Sequence, residues 1–96
     1  MFAVCVTFQV KSCMMDHFMP LMQQQAVNSL ANESGCHQFD VCTDEARPDD
    51  VFLYELYEDT AAFELHLASE HFKAFDVAVA DMLADKQVNT YQQVLR

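Results

Sequence analysis

The sequence has very little glycine, proline and positive charge. It contains one Gly and two Pro among 96 residues, so we expect short loops and no glycine-rich phosphate-binding loop. Five Lys and Arg stand against 15 Asp and Glu, which gives a formal net charge of −10 at pH 7. A chain this negative is repelled by nucleic-acid backbones and by anionic lipid headgroups. We therefore predict no nucleic-acid partner and no membrane partner.

Motifs for targeting and for tightly bound groups are also missing. The apolar run over residues 1–8 has no cationic lead-in and no small-residue cleavage site, and it is too short to span a bilayer. The four cysteines form no Cys-x-x-Cys pair, and the four histidines lack the spacing of metal ligands. We therefore predict a cytoplasmic protein with reduced thiols, no metal and no cofactor.

Apolar residues, by contrast, are abundant. They make up 52% of the chain, and aromatic residues alone make up 11%. The length fits a single domain, which we place over residues 1–96. A domain of this size has a thin core, so the surplus of apolar residues predicts a second buried surface. A homodimer interface and an internal ligand pocket are the two explanations.

Alternating and helical patterns predict a β-α-β-β-α-β order. Strands are expected at 2–10, 36–44, 51–58 and 87–95, and helices after an N-cap at Ser12 to about Asn32, at 61–68 and from Ser69 onward. This order is typical of a ferredoxin-like α+β fold, in which an antiparallel sheet carries its helices on one face.

The face of the sheet without helices is expected to be too apolar for free water. We place the following side chains on it: Cys5, Thr7, Gln38, Cys42, Leu53 and Tyr57. Two such sheets packed face to face would cover them, which predicts a homodimer.

His66 is the first candidate for an acid–base group. Helical spacing places it with Phe63 and Leu67 on the helix face that is directed toward the sheet. An imidazole in a dry cleft can take a proton from a carbon or phenol acid. A core histidine with satisfied ring nitrogens is the alternative, and the residues alone leave both readings open.

Other side chains are candidates for orienting or enclosing a substrate. His71 follows the helix start at Ser69, and Tyr54 offers a phenol on the third strand. Flat or flexible apolar walls are available from Phe39, Phe52, Phe63, Phe72 and Met22. At strand and helix spacing, such residues are more often ordinary core residues.

Three segments carry a family resemblance. They are ESGCHQFDV at 33–41, FLYELYED at 52–59 and AFELHLASEHFK at 62–73. In this order and spacing they resemble the antibiotic biosynthesis monooxygenase (ABM) domain family. The resemblance implies a dimeric α/β barrel, in which two ferredoxin-like protomers face each other through their sheets. It also implies an enzyme that oxidises quinols or aromatic polyketides with dioxygen and without a cofactor.

The family has further branches, which this sequence fits less well. Its haem-degrading members have a Trp and an axial His on the second helix. This chain has no Trp and has Phe75 and Asp76 where that His is expected, so the resemblance does not extend to haem. Its isomerase branch processes phosphorylated autoinducer-2, and only Lys73 lies near the expected pocket to meet a phosphate.

Together the residues and the resemblance favour a cofactor-independent monooxygenase that acts on a small aromatic or quinol-like substrate. In this hypothesis His66 generates the substrate anion, while Tyr54 and His71 orient or stabilise its oxygen. The alternatives are an isomerase of a small carbonyl compound and a non-catalytic ligand-binding dimer.

Overall fold

The chain folds around an antiparallel sheet of four strands. The computed structural model describes residues 1–95. Its elements are β1 (Phe2–Val10), α1 (Met15–Asn32), β2 (Cys36–Asp44), β3 (Arg47–Tyr57), α2 (Thr60–Ala68), α3 (Glu70–Val79), a 3-10 turn (Ala80–Met82) and β4 (Leu83–Tyr91). The strands lie in the order β2-β3-β1-β4. The ferredoxin-like α+β prediction is confirmed, with the second helix divided in two. Within residues 1–95, no helix is long and apolar enough to cross a membrane.

Strand register decides which side chains lie beneath the helices. In β1, Val4 pairs with Glu55 and Val6 pairs with Leu53. Directly opposed residues of an antiparallel pair lie on the same face of the sheet. Because Val4 and Val6 belong to the buried core, β3 also directs Leu53 and Glu55 toward the helices.

The prediction that Leu53 and Tyr57 lie on the opposite face is therefore wrong. Tyr57 pairs with Phe2 and is completely buried, and Leu53 is 2% exposed. The face away from the helices instead receives Phe52 and Tyr54, which pair with Thr7 and Cys5. The third strand is apolar on both faces, so its alternation alone does not show which face is the core.

Two predicted boundaries are also corrected. Ser12 is not the N-cap of α1: Cys13 adopts a left-handed φ of 70°, so residues 12–13 form a turn and Met14 takes the cap position without a side-chain hydrogen bond. The last strand begins at Leu83, because Leu83 already pairs with Val10, and it ends at Tyr91 instead of residue 95.

The start of β2 departs from simple alternation as well. The register with β3 shifts between Cys36 and Gln38, so His37 does not share the buried side of Phe39. His37 is exposed and pairs through Nε2 with the carboxylate of Glu58.

Candidate functional site

A cavity of about 260 Å³ lies between the sheet and helices α2 and α3. We call it the His66 cavity; its walls are Val4, Val6, Glu55, Phe63, His66, Leu67, Phe72 and Val88. A smaller space of about 30 Å³ lies toward α1 and shares Val6, Glu55, His66 and Phe72 with it. Both spaces are therefore bordered by the same two titratable side chains, Glu55 and His66, among apolar walls.

Two larger concavities are open and chemically plainer. One of about 450 Å³ lies where α1 and β2 meet the start of α2, and its walls contain no histidine or aromatic ring. The other, of about 380 Å³, is a groove between α1 and α3 that includes His71 and Gln25. Ligand sites combine apolar walls with a few convergent polar groups, which favours the smaller His66 cavity over both.

Helix capping brings the two site histidines together. Asp59 starts α2, its Oδ1 accepting a hydrogen bond from the Ala62 amide at 2.8 Å. Ser69 then starts α3 by accepting from the Phe72 amide at 3.2 Å, while its hydroxyl donates to the His66 carbonyl at 2.7 Å. The chain turns at Ser69, and the rings of His66 and His71 consequently lie with centroids 6.0 Å apart. The predicted N-cap at Ser69 is confirmed.

The closeness of α2 to the start of β2 depends on a glycine. A Cβ atom on Gly35 would lie 2.6 Å from the Cβ of Ala62, which is closer than side-chain atoms pack. The Gly35 carbonyl also accepts a hydrogen bond from the Glu58 amide at 2.8 Å. This close approach holds α2 beside the end of α1, where Glu33 follows the last helical turn.

Glu33 holds His66 in one orientation. The Nδ1 atom of His66 lies 2.9 and 3.1 Å from the two carboxylate oxygens of Glu33. Because a carboxylate can only accept, Nδ1 carries the proton and Nε2 is left as the acceptor nitrogen. His66 is 3% exposed, and burial lowers its pKa, an effect that Glu33 partly offsets. His66 is therefore a neutral base at neutral pH.

His71 lies on the far side of the same carboxylate. Its Nε2 is 2.8 Å from Oε2 of Glu33, at ion-pair distance but without hydrogen-bond alignment. Its Nδ1 is 3.2 Å from Oε1 of Gln25, a side chain that is itself 3% exposed. His71 thus faces Glu33 and the groove between α1 and α3, and it lines neither the His66 cavity nor the smaller space.

Glu55 is a buried carboxyl group on the sheet side of the cavity. The hydroxyl of Tyr57 donates to its Oε1 at 2.6 Å, and Glu55 is 3% exposed. Burial raises the pKa of Glu55 to about 7, although the hydrogen bond from Tyr57 opposes the shift. Burial and the charge of Glu55 in turn raise the pKa of Tyr57, so its phenol stays protonated.

The structure brings together most of the side chains chosen from the sequence. His66, Phe63 and Phe72 line the His66 cavity, and Phe39 and Met22 line the smaller space beside it. The ring of Phe72 lies 5.0 Å from that of His66, centroid to centroid.

Tyr54 and Phe52, in contrast, are not beside His66. Both lie on the opposite face of the sheet, Phe52 being 39% exposed there. Neither side chain lines the His66 cavity or the smaller space, because β3 directs Leu53 and Glu55 inward instead, and their contact with a substrate stays a prediction.

Two carboxylates are the parts of the site that the sequence did not assign. Glu33 lies 33 positions before His66, and no local pattern links them. Glu55 alternates with Leu53 and Tyr57, so the sequence does indicate that the three share one face of the strand. The prediction placed that face away from the helices, whereas the structure directs it toward them.

Comparisons with solved structures agree on the fold. A protein from Nitrosomonas europaea that is provisionally named an antibiotic biosynthesis monooxygenase superposes with a TM-score of 0.92 at 23% identity, covering 99% of this chain and 100% of that one. A similarly named protein from Caulobacter crescentus gives a TM-score of 0.91 at 22% identity over 98% of this chain and 90% of that one. A protein from Mycobacterium tuberculosis gives 0.89 at 19% identity, covering 99% and 96%.

Membership of a family is shown by a match in sequence. The family model described as antibiotic biosynthesis monooxygenase matches residues 1–77, which include Glu33, Glu55, His66 and His71. This agrees with the resemblance of the three segments between residues 33 and 73. The chain belongs to the antibiotic biosynthesis monooxygenase (ABM) family.

Proposed function

We propose that this protein is a cofactor-independent monooxygenase that oxidises a small aromatic or quinol-like substrate with dioxygen in the His66 cavity. The observation that carries the proposal is the contact of partly buried Glu33 with buried His66, which leaves a basic imidazole nitrogen on the wall of a mostly apolar cavity. Membership of the ABM family supports the same reaction class.

His66 acts as the base in this proposal. Its Nε2 takes the proton of the substrate, and Glu33 stabilises the imidazolium that forms. The electron-rich substrate anion then reduces dioxygen itself, so the protein has to supply only a base, a shape and dry surroundings.

The walls of the cavity fit a flat apolar substrate. Phe63 stacks parallel to His66, at an interplanar angle of 16°, and Phe72 lies on another side of the imidazole. The volume of about 260 Å³ lies just below the range of about 300–1,000 Å³ for ligand pockets. We therefore expect a substrate with one or two rings.

The outer face of the sheet supports a homodimer. It carries Cys5, Thr7, Cys42, Phe52 and Tyr54, which are apolar or uncharged and at least partly exposed in one protomer, together with one carboxylate, Asp40, which pairs with Tyr54. Face-to-face packing of two such sheets would bury them, as in the family's dimeric barrels. A homodimer working in the cytoplasm is part of this proposal.

An isomerase of a small carbonyl compound is the second candidate. It is favoured by one observation, which is that Glu55 and His66 border the same cavity. Two acid–base groups on one cavity can remove a proton from one carbon and return it to the next. Isomerisation consumes no dioxygen, so oxygen uptake separates the two reactions.

The experiment is dioxygen uptake by the purified protein with a panel of hydroquinones and polyphenols. Uptake in buffer and with heat-inactivated protein is subtracted, since these compounds oxidise slowly by themselves. The proposal predicts substrate-dependent uptake proportional to protein concentration. A substrate that is converted without uptake would favour the isomerase, and saturable binding without any conversion would favour a non-catalytic binding protein.

A further inference from the structure

Glu55 is a buried carboxyl group with few interactions that could stabilise its ionised form. Glu55 lies on β3, which is an inner strand of the sheet, and its side chain is directed toward the helix layer beside that of its β1 partner Val4. Within residues 1–95 its one side-chain hydrogen bond is the bond that Tyr57 donates to Oε1. An ionised carboxylate with a single neutral donor is poorly compensated for the loss of water. The protonated form is correspondingly favoured at this position.

The charged and titratable groups around Glu55 come from every neighbouring element. Together they do not offset the rise in the pKa of Glu55 that burial causes. They are Tyr57 on the same strand, Cys5 on β1, Cys36 on β2, Glu33 after α1, His66 on α2 and Lys86 on β4. The charge of Glu33 opposes ionisation of Glu55, whereas Lys86 favours it. Burial outweighs both, and the carboxyl group exchanges its proton near pH 7, since its pKa is about 7.

The place of Glu55 on the wall of the His66 cavity makes its carboxyl proton available to a ligand. Glu55 and His66 both border the His66 cavity, one from the sheet and one from the helix layer. A molecule held between Phe63 and Phe72 therefore has a base on one side and a protonated carboxyl group on another. Tyr57 does not replace Glu55 in this role, because it is absent from the cavity walls and its phenol holds its proton too tightly.

We propose that Glu55 is the second acid–base group of the His66 cavity and gives its proton to the peroxide that forms when dioxygen adds to the substrate. This inference rests on the proposed monooxygenase function and assigns a catalytic residue to it. Glu55 touches the reacting oxygen atoms in this scheme, whereas Glu33 positions His66.

The proton and electron balance of the reaction closes with these two groups. His66 removes the O–H proton of a phenolic substrate. The resulting anion transfers two electrons to dioxygen as one of its ring carbons forms a C–O bond, which leaves a terminal peroxide anion. Glu55 protonates that anion to a hydroperoxide. The Glu55 carboxylate then removes the hydrogen on the same carbon as a proton, the O–O bond breaks, and a C=O bond forms as hydroxide leaves.

The last proton completes the cycle. The imidazolium of His66 protonates the hydroxide to water, so His66 is again neutral and Glu55 is again protonated. The sum is one phenol and one dioxygen converted to one quinone and one water, and no other oxidant or reductant is needed. A single base could not hold both protons that leave the substrate, which is why two groups on one cavity matter.

The first arm of the test measures the proton without any substrate. The infrared difference between wild type and Glu55→Gln is recorded from about pH 5 to about pH 8, with exposed Glu64→Gln on α2 as the control carboxyl variant. The proposal predicts a protonated-carboxyl band that disappears in Glu55→Gln but not in Glu64→Gln, and that titrates near pH 7. A Glu55 that is ionised throughout this range overturns the proposal.

The second arm measures how dioxygen is used with a hydroquinone that the wild type oxidises. In Glu55→Gln the oxygenated product formed per dioxygen falls at least about tenfold, and kcat falls by about 10²-fold or more. Hydrogen peroxide appears instead, because the unprotonated peroxide is released while the quinol becomes a quinone. His66→Gln differs by losing dioxygen uptake itself.

The outcomes separate the two proposals. A Glu55→Gln variant that folds, judged by its circular dichroism, and keeps the wild-type ratio of product to dioxygen overturns the role of Glu55 alone. A wild type that consumes no dioxygen with any substrate overturns the monooxygenase and, with it, the peroxide step. If Glu55→Gln does not fold, Glu55→Asp takes its place, because its carboxyl group is held on a side chain one methylene shorter. The proposal then predicts a lower ratio of oxygenated product to dioxygen in Glu55→Asp, and an unchanged ratio rejects it.

Discussion

The carboxylate of Glu33 lies between two histidines, with its Oε2 atom 2.9 Å from Nδ1 of His66 and 2.8 Å from Nε2 of His71. The hydrogen bond to His66 fixes which ring nitrogen carries the proton. It also leaves the other nitrogen free to act as the base of the cavity. The Glu33–His66 pair is therefore the part of the site on which the proposed chemistry depends.

Glu33→Gln should lower kcat by about 10²-fold or more, because the amide can no longer stabilise the imidazolium or fix its tautomer. Removing the carboxylate also removes the interactions that raise the pKa of His66, so its pKa falls further. Steady-state kinetics over a range of pH measure both effects. Glu58→Gln is the matched control, since Glu58 pairs with His37 at the surface. Equal losses in the two variants would contradict the role of Glu33.

Glu55 should make the protein less stable as pH rises. Its pKa is raised from the ordinary value of 4.5 to about 7, so its contribution to stability is complete below about pH 4.5 and is lost as pH rises toward about 7. A shift of this size corresponds to about 3 kcal/mol. Relative to wild type, Glu55→Gln should therefore gain about 3 kcal/mol in unfolding free energy between pH 4.5 and pH 8.

Chemical denaturation at several pH values measures this difference. Titration of His66 is common to both proteins and cancels to first order in the comparison. A difference between wild type and Glu55→Gln that does not change with pH would show that Glu55 ionises as it does in water.

Phe72→Ala should enlarge the cavity and weaken substrate binding. The Phe72 ring borders both the cavity and the imidazole of His66, so its loss removes apolar contact area from the substrate. We expect KM for a one-ring quinol to rise about tenfold, equivalent to about 1.4 kcal/mol, with a smaller change in kcat. Phe63→Ala serves as the second cavity variant. A KM unchanged in both variants would place the substrate elsewhere.

Phe52→Asp should act on assembly and not on the cavity. Phe52 is 39% exposed on the outer face, opposite His66, and the proposed dimer buries it. A buried, unpaired carboxylate is costly, so the variant should shift the protein toward the monomer. Light scattering at micromolar concentration tests this, and a wild type that is already monomeric there would reject the homodimer.

The sequence predicted the fold well, because alternation and capping are local signals. The alternation of Val4, Val6 and Phe8 and the N-cap at Ser69 each depend on residues close in the chain, and the structure confirms them. The boundary at Ser12 failed for a local reason that a side-chain pattern does not reveal, which is the left-handed backbone of Cys13.

The site was predicted only in part, because its chemistry depends on contacts that are distant in sequence. His66 was found from the helical spacing that it shares with Phe63. Its partner Glu33 lies across a contact that only the approach of α2 to Gly35 creates. Tyr54 was preferred over Tyr57 because a strand that is apolar on both faces does not reveal which face meets the helices.

The proposed oxygenation is tested by oxidation of a hydroquinone under heavy-isotope dioxygen, with mass analysis of the product for wild type, His66→Gln and the exposed-histidine control His17→Gln. If His66 is the base, one oxygen atom from dioxygen enters the product of the wild type and of His17→Gln. His66→Gln then forms no labelled product above the uncatalysed background. A product without label, or a His66→Gln variant as active as wild type, would contradict the proposal.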